Sequence, residues 1–337
     1  MPSSTFTISL DFELLWGIFD KVGNTYDPHY FANTRKLIPE ILEVFEKNEI
    51  KATWATVGML FAENEAEWRH YSPVHKPSYR TSKLSAYEFV KKNGLDPAVL
   101  FAPELIKKIL DTPGQELGSH TFAHFYTLVR GQSPEQFRHD LQASQRISQE
   151  KFGVTLKSLV FPRNHLNELY LPICLEEGYT QVRSNPRNWY WQETQYEDLS
   201  KKWFRSADCF FPVGQHTLFK LDDLNPLPKE PLLIPASRIL RPISKSNTLF
   251  NTVRLKRIKN EMSAAAKAQA SYHLWWHPHN FATNPAAAMA ELRELMLHFQ
   301  QLREKFGMLS LNMEDLAELA GKKFFSFSEQ RSVFSGQ

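Results

Sequence analysis

Cysteine is nearly absent from this chain: Cys174 and Cys209 are the only two in 337 residues. Two thiols cannot build a disulfide framework and their spacing fits no metal site, so both read as buried thiols in a reducing compartment. Long apolar runs are missing too. No stretch reaches the ~18 consecutive apolar residues that a membrane helix needs. The start, Met1-Pro-Ser-Ser-Thr-Phe-Thr-Ile-Ser-Leu10, has no basic residue leading into an apolar segment. A cytoplasmic protein without a membrane span is therefore expected. Nor does charge of one sign dominate, since 40 Lys and Arg stand against 37 Asp and Glu, a net charge of +3. That balance demands neither nucleic acid nor an anionic membrane as partner. With 42% hydrophobic and 13% aromatic residues, the chain can bury one large core or two modest ones.

What is present is an alternation of strand and helix patterns. Residues 6–10 are β-rich and stop at Asp11, and between Asn33 and Asn48 the positions Leu37, Ile38, Ile41, Leu42, Val44 and Phe45 recur at helical spacing. Residues 51–57 then predict a second strand ending at Gly58, which makes a strand-helix-strand unit with parallel pairing. An aperiodic excursion over about residues 62–103 is placed across one face of the core. A short helix (102–110) and a strand (116–119) follow, and Ser133-Pro134-Glu135 opens a helix running to about Phe152, with Ser as cap and Pro in the first turn. Strands at 156–161 and 180–183 flank a helix at 169–177 that closes at Gly178. Residues 185–226 are rich in Trp, Phe and Pro and resist ordering. Beyond them the pattern gives a strand at 232–236, a basic helix at 251–270, a strand at 270–276, a long helix at 285–305 and a last strand near 308–311. The expected organisation is one domain over 1–321, with insertions at about 62–103 and 185–265 and a tail at 322–337.

Three of these strands end in ionisable groups: the first in Asp11-Phe12-Glu13, another in His120, and the one through Tyr272 in His277-Pro278-His279. In a parallel barrel or sheet the C-terminal strand ends share one face, so these groups meet although they are far apart in sequence. Asp11 and Glu13 point the same way if the strand continues. His120 and His124, in Gly118-Ser-His-Thr-Phe-Ala-His124, are four apart. That spacing lets two imidazoles converge on one ion from one turn of helix, and with the strand ending before them and Ser119 a possible helix cap the pair is expected on a strand-to-helix loop, although surface or core imidazoles share the spacing. Two carboxylates and two to four imidazoles in one mouth describe a hydrolytic metal site.

These residues resemble the polysaccharide deacetylases of carbohydrate esterase family four, the NodB type. Ser9-Leu10-Asp11-Phe12-Glu13 is similar to the family's first motif, in a variant with one residue between the two acids. His120-Thr121-Phe122-Ala123-His124 is similar to the second motif, Phe161-Pro162-Arg163-Asn164 more loosely to the third, and Leu274-Trp275-Trp276-His277-Pro278 to the last. Residues 51–58 and 175–179 add supporting similarity, and the motifs come in the family's order from Asp11 to His277. The resemblance implies an α/β fold: a deformed (β/α) barrel of parallel strands, NodB-like and seven-stranded, with inserted loops over the C-terminal face. Asp-x-Glu replaces the usual adjacent acids, Asn164 stands where many relatives have another residue, and the acidic fourth motif has no clear match, Asp208 and Trp203 being its candidates.

For the site, the resemblance implies one divalent ion held by Glu13, His120 and His124. Zinc comes first, and nickel, cobalt or iron(II) also suit two imidazoles and a carboxylate. Asp11 is the implied base, oriented by Arg163, and His277 the implied acid for the leaving amine. Asn164, His165, Trp276 and His279 are the expected substrate contacts. The residues alone leave alternatives open. Asp11 can cap the turn after the first strand, His165 or His279 can replace Glu13 in the metal shell, and Arg163 can belong to a structural ion pair. Trp275 and Trp276 alternate faces, so one packs the core and the other lines the pocket. Arg238, Arg241, Arg254 and Arg257 can meet phosphate on a nucleotide- or lipid-linked sugar or form a solvated helix face. The expected function is metal-dependent N-deacetylation of an acylated amino sugar in surface-polysaccharide or lipopolysaccharide assembly. The other readings are a deformylase or ureide hydrolase on the same scaffold, and an inactive carbohydrate-binding relative. The expected partner is a carbohydrate or small-molecule amide.

Overall fold

The first strand sets the architecture. In Thr5–Phe12 (β1) the apolar residues Phe6, Ile8, Leu10 and Phe12 alternate with Thr5, Thr7, Ser9 and Asp11, yet all eight positions are buried. A strand with a period of two and no exposed face lies between an apolar layer and an enclosed polar one. In the computed structural model, which describes residues 4–23, 25–192, 194, 198–211, 217–224, 227–244 and 248–321, that enclosed layer is the inside of a barrel.

The other strands are β2 (Ala52–Thr56), β3 (Gln115–Ser119), β4 (Ser158–Val160), β5 (Gln181–Ser184), β6 (Leu232–Pro235), β7 (Arg238–Ile239), β8 (Ser271–Trp276) and β9 (Leu309–Ser310). They pair in the order β6-β5-β4-β3-β2-β1-β8-β7, and β9 adds to the start of β1. Every pairing between these strands is parallel. The two ends of this order are consecutive in the chain. Ala236 donates its N–H to Ser184 O and Ser237 donates to His273 O, so residues 232–239 bind β5 on one side and β8 on the other and bridge the seam. Counting β6 and β7 as one bent strand gives the seven-stranded parallel barrel expected from the resemblance.

The barrel's interior is polar. Thr5 bonds Ser271, Thr53 and Ser158 both donate to Glu116, Gln181 donates to Ser158, and Ser9 receives Arg183 and meets His273. Residues 313–321 close the bottom, where the amides of Met313 and Glu314 donate to Thr53 Oγ1 and Glu116 Oε2. Met313 and Leu316 pack there with Leu232 and Ile234. The outer face of the strands carries the apolar set, including Trp54, Leu117, Leu159, Val182, Tyr272, Leu274 and Trp276, all buried under helices. Each such side chain contributes about 1.5–3 kcal/mol by leaving water.

The principal helices follow the sequence patterns. Pro28–Lys47 begins earlier than expected because Asp27 caps it, accepting the His29 N–H, with Pro28 in the first turn. Pro134–Phe152 has the capping box Ser133/Gln136 and ends at Gly153, whose φ of +69° favours glycine. The excursion over 62–103 is ordered by short helices, Glu65–Tyr71, Ala86–Asn93 and Pro97–Leu100, each capped by Asn or Ser or Asp. The basic helix is Thr248–Lys267, and the four arginines expected to meet phosphate are engaged within the protein. Arg254 pairs with Glu291, and Arg257 and Arg238 pair with Asp208 and Glu261. Arg241 directs Nε at Cys209 Sγ. Cys174 and Cys209 are free and buried. Among the described residues no helix is long and apolar enough to cross a membrane. The tail expected at 322–337 lies outside the described residues.

Candidate metal centre and active site

Parallel pairing brings the ends of β1, β3, β5 and β8 to one rim. Asp11 is the last inward-facing residue of β1. The backbone then leaves the strand at Glu13, and Leu14 takes a φ of +47° into a short 3₁₀ turn over Leu14–Gly17. This turn folds the Glu13 carboxylate back over Gly17, where a Cβ would stand 1.7 Å from Glu13 Oε2. Gly17 is thus the space that the carboxylate fills.

The stretch from His120 to His124 is a loop, as expected of a pair that follows a strand end, and it forms no helical turn. Thr121 and His124 have φ of +62° and +51°, and the loop's amides are claimed from outside it. Ser119 Oγ accepts the Thr121 N–H, and the buried carboxylate of Asp140 accepts those of Phe122 and Ala123 at 2.6 and 3.1 Å. Gly58 and Met59 donate to the Thr121 and Phe122 carbonyls. Ser119 therefore organises a loop and caps no helix.

The result is a tight nest. Glu13 Oε1 lies 3.0 Å from His120 Nε2, 3.2 Å from His124 Nε2 and 3.6 Å from His277 Nε2. His120 Nδ1 sits 2.8 Å from the Val160 carbonyl, which can only accept, so that nitrogen carries the proton. A neutral His120 then turns a bare Nε2 lone pair toward a carboxylate oxygen. Two acceptors at 3.0 Å repel, and a cation between them removes the conflict. His124 Nδ1 meets the Tyr126 hydroxyl at 3.0 Å, which fixes the ring with Nε2 inward. Burial pushes the His124 imidazole down to about 4, which keeps it neutral at neutral pH. For Glu13, burial works against the charge, but the neighbouring His277 favours it, and the carboxyl is held well below its ordinary value. The donor set therefore fits a divalent ion held by Glu13, His120 and His124.

Beside the nest, Arg183 at the end of β5 binds both oxygens of Asp11, at 2.6 and 2.8 Å. Burial raises the Asp11 carboxyl, yet the Arg183 guanidinium more than offsets this and leaves it lowered. His277 Nε2 stands 3.7 Å from Asp11 Oδ2, and its side chain is 25% exposed, whereas Asp11 and Glu13 are 4% exposed. His277 is thus the member of the group that faces solvent.

Two expectations are corrected here. Arg163 does not orient Asp11: its guanidinium pairs with Asp20 at 2.6 Å and lies over the Tyr126 ring at 4.3 Å. The backbone after β4 is left-handed at Arg163 and Asn164, whose φ values are +57° and +54°. Trp276 is no pocket residue. It faces the helices, stacked on Phe281 and edge-on to Phe45, fully buried. The inward partner is Trp275, with the Arg183 guanidinium 4.5 Å from its ring. The other expected contacts are near the rim. Asn164 Oδ1 accepts from Arg183 at 3.2 Å, His165 is buried with its ring 6.2 Å from that of Tyr126, and His279 lies 5.1 Å from His277, ring to ring. Burial and His277 push the His279 imidazole down to about 4. Neither fourth-motif candidate is at the rim, since Asp208 pairs with Arg238 and Arg257 and Trp203 is exposed.

Sequence reasoning missed Arg183, Tyr126 and Asp140. Arg183 had a usable signal, because it ends a strand as Asp11 and His277 do.

Residues 19–182 match the sequence model of the polysaccharide deacetylase family. Over that segment, just under half of its length, the chain is similar to the polysaccharide deacetylase family. The matched segment contains His120, His124 and Arg163 and begins after Asp11 and Glu13. No curated protein matches the chain in sequence. Among solved structures, a Mycobacterium smegmatis protein classed as a polysaccharide deacetylase superposes with a TM-score of 0.58 at 14% identity, covering 95% of this chain and 92% of that one. The PuuE allantoinase superposes with a TM-score of 0.54 at 12% identity, covering 93% and 88%. At such identities the likeness is one of fold.

Proposed function

We propose that this chain is a metal-dependent amide hydrolase that removes the acyl group from an acylated amino sugar. The observation that carries the reading is the convergence of Glu13, His120 and His124 on one point, with Asp11 and His277 beside it. Bound there, a divalent ion, zinc first and nickel, cobalt or iron(II) next, would supply Lewis acidity toward water and the acyl oxygen. The protein supplies the proton transfers. Asp11, held in one orientation by Arg183, accepts the proton of the attacking water. His277, partly open to solvent, donates a proton to the amine nitrogen as the C–N bond breaks. Water plus amide thus yield a carboxylic acid and a free amine. To Asn164, His165 and His279 we assign the contacts with the sugar. A precursor in surface-polysaccharide or lipopolysaccharide assembly, met in the cytoplasm, is the substrate class we favour.

The fold shared with an allantoinase supports a second reading, hydrolysis of a ureide by the same groups. One assay separates the two. Metal-stripped protein, reloaded with each ion, is offered acylated amino sugars, nucleotide-linked sugars and ureides while acetate, formate and ring opening are followed. Metal-restored acetate release from a sugar supports the first reading. Ureide opening without acetate release replaces it with the second.

A further inference from the structure

A second group of metal-binding side chains, sharing no residue with the first, comes together among the described residues. His75, Glu135 and His139 each offer one donor atom, and these atoms lie within 4.8 Å of one another. Glu135 and His139 are four apart in the helix Pro134–Phe152 and so share a face. His139 Nδ1 is 3.0 Å from the Glu135 backbone carbonyl, which can only accept. The proton is thus on Nδ1, and Nε2 keeps its lone pair for another partner.

His75 arrives from the excursion over 62–103. Its ring centroid is 4.6 Å from that of His139 at an interplanar angle of 42°. Hydrogen bonds on the C-terminal side of His75 fix the approach. Ser78 donates to Gly131 O at 2.6 Å and receives Gln136 Nε2 at 2.9 Å, and the Arg80 N–H donates to Arg130 O. The backbones are therefore held together while His75 and Glu135 remain exposed and their side chains can turn.

We propose that His75, Glu135 and His139 form a second site for a borderline transition-metal dication (zinc, copper(II) or nickel(II)) that clamps the excursion to the helix. Two imidazoles and one carboxylate suit these ions, whereas calcium and magnesium take oxygen ligands. Donors around a tetrahedral zinc at ~2.0–2.1 Å are roughly 3.4 Å apart. Rotation of the exposed side chains closes the present separation to that value, and water completes the shell. The clamp joins two elements that already hold the His120–His124 loop. Asp140, next to His139, accepts the loop's amides, and the Tyr79 hydroxyl accepts the Tyr126 N–H at 2.8 Å.

The test is zinc titration of the stripped full-length chain, with bound metal measured after gel filtration. The wild-type chain is expected to bind a second ion, more weakly than the first, and His75→Ala/His139→Ala to lose only that second ion. Copper(II) spectra of the His124→Ala variant should carry nitrogen couplings from two imidazoles, and these should vanish when His75 or His139 is also replaced. Equal stoichiometry in the wild-type chain and in the His75→Ala/His139→Ala variant overturns the proposal. Both replaced residues are outside the core, so that comparison survives any folding defect of His124→Ala.

Discussion

Arg183 grips Asp11 by both carboxylate oxygens, from a strand that is not its neighbour in the sheet. The pair is almost completely buried, with 1% and 4% of the side chains exposed. Removing one member of such a pair strands the other charge and typically costs about 3–5 kcal/mol. Arg183→Ala is expected to unfold at lower temperature and to lose hydrolysis, and Arg183→Lys to alter the pH profile of kcat because lysine cannot grip two oxygens at once. Arg163→Ala should leave that profile in place. If Arg163→Ala shifts the profile and Arg183→Lys does not, the assignment of the orienting arginine reverses.

Asp11 and His124 are expected to fail in different ways. Asp11→Asn should abolish turnover with metal content intact, and His124→Ala should lose both. Metal analysis and acetate release on the same preparations separate base from ligand. Full occupancy in His124→Ala would remove that residue from the metal shell.

Gly17→Ala places a methyl group where the Glu13 carboxylate now lies, 1.7 Å from Oε2. The carboxylate must move, so metal affinity should fall, by roughly tenfold or more on the scale of disturbed metal supports. Competition with a chromophoric chelator reads this directly. An unchanged affinity would mean that Glu13 is not held by this contact.

His273 gives a pH dependence with a definite sign. Burial, with Arg183 beside it, pushes its imidazole down to about 3 from 6.5. Between those values the unfolded chain binds a proton that the folded chain refuses. The stabilising contribution is therefore complete above pH 6.5 and is lost as pH falls toward about 3. His273→Gln keeps a donor for Pro235 O and an acceptor for Ser9. It should flatten the acid limb of melting temperature against pH in metal-free protein. An acid limb as steep as that of the unaltered chain would point to other groups.

Much of the fold and part of the site were legible in the sequence, for a common reason. Asp11, Glu13, His120, His124 and His277 stand at or just after strand ends, and strand ends are visible as the point where a period of two stops. Arg183 also ends a strand, but its partnership with Asp11 depends on curvature, which brings β5 across to β1 and leaves no local mark. Trp275 and Trp276 alternate faces, so one of the two must point inward, and Trp276 was the wrong choice. The parity of β8, with Ser271 and His273 on the side of Trp275, already indicated the reverse. The His120–His124 pair was legible as a loop after a strand, but the helix that Ser119 was expected to cap does not follow it, because the carboxylate of Asp140, sixteen residues past His124, takes up the loop's amides.

Residues 232–239 act on the barrel as a hoop acts on a cask. Because the ring is completed through Ala236 and Ser237, neither β5 nor β8 presents a free edge at the seam to another chain, and the sheet has no loose side there from which to recruit a partner. The circumference is then a fixed quantity. The distance across the rim from Arg183 to Asp11, and from Asp11 to His277, is set by a segment that contributes no side chain to the Glu13, His120 and His124 nest.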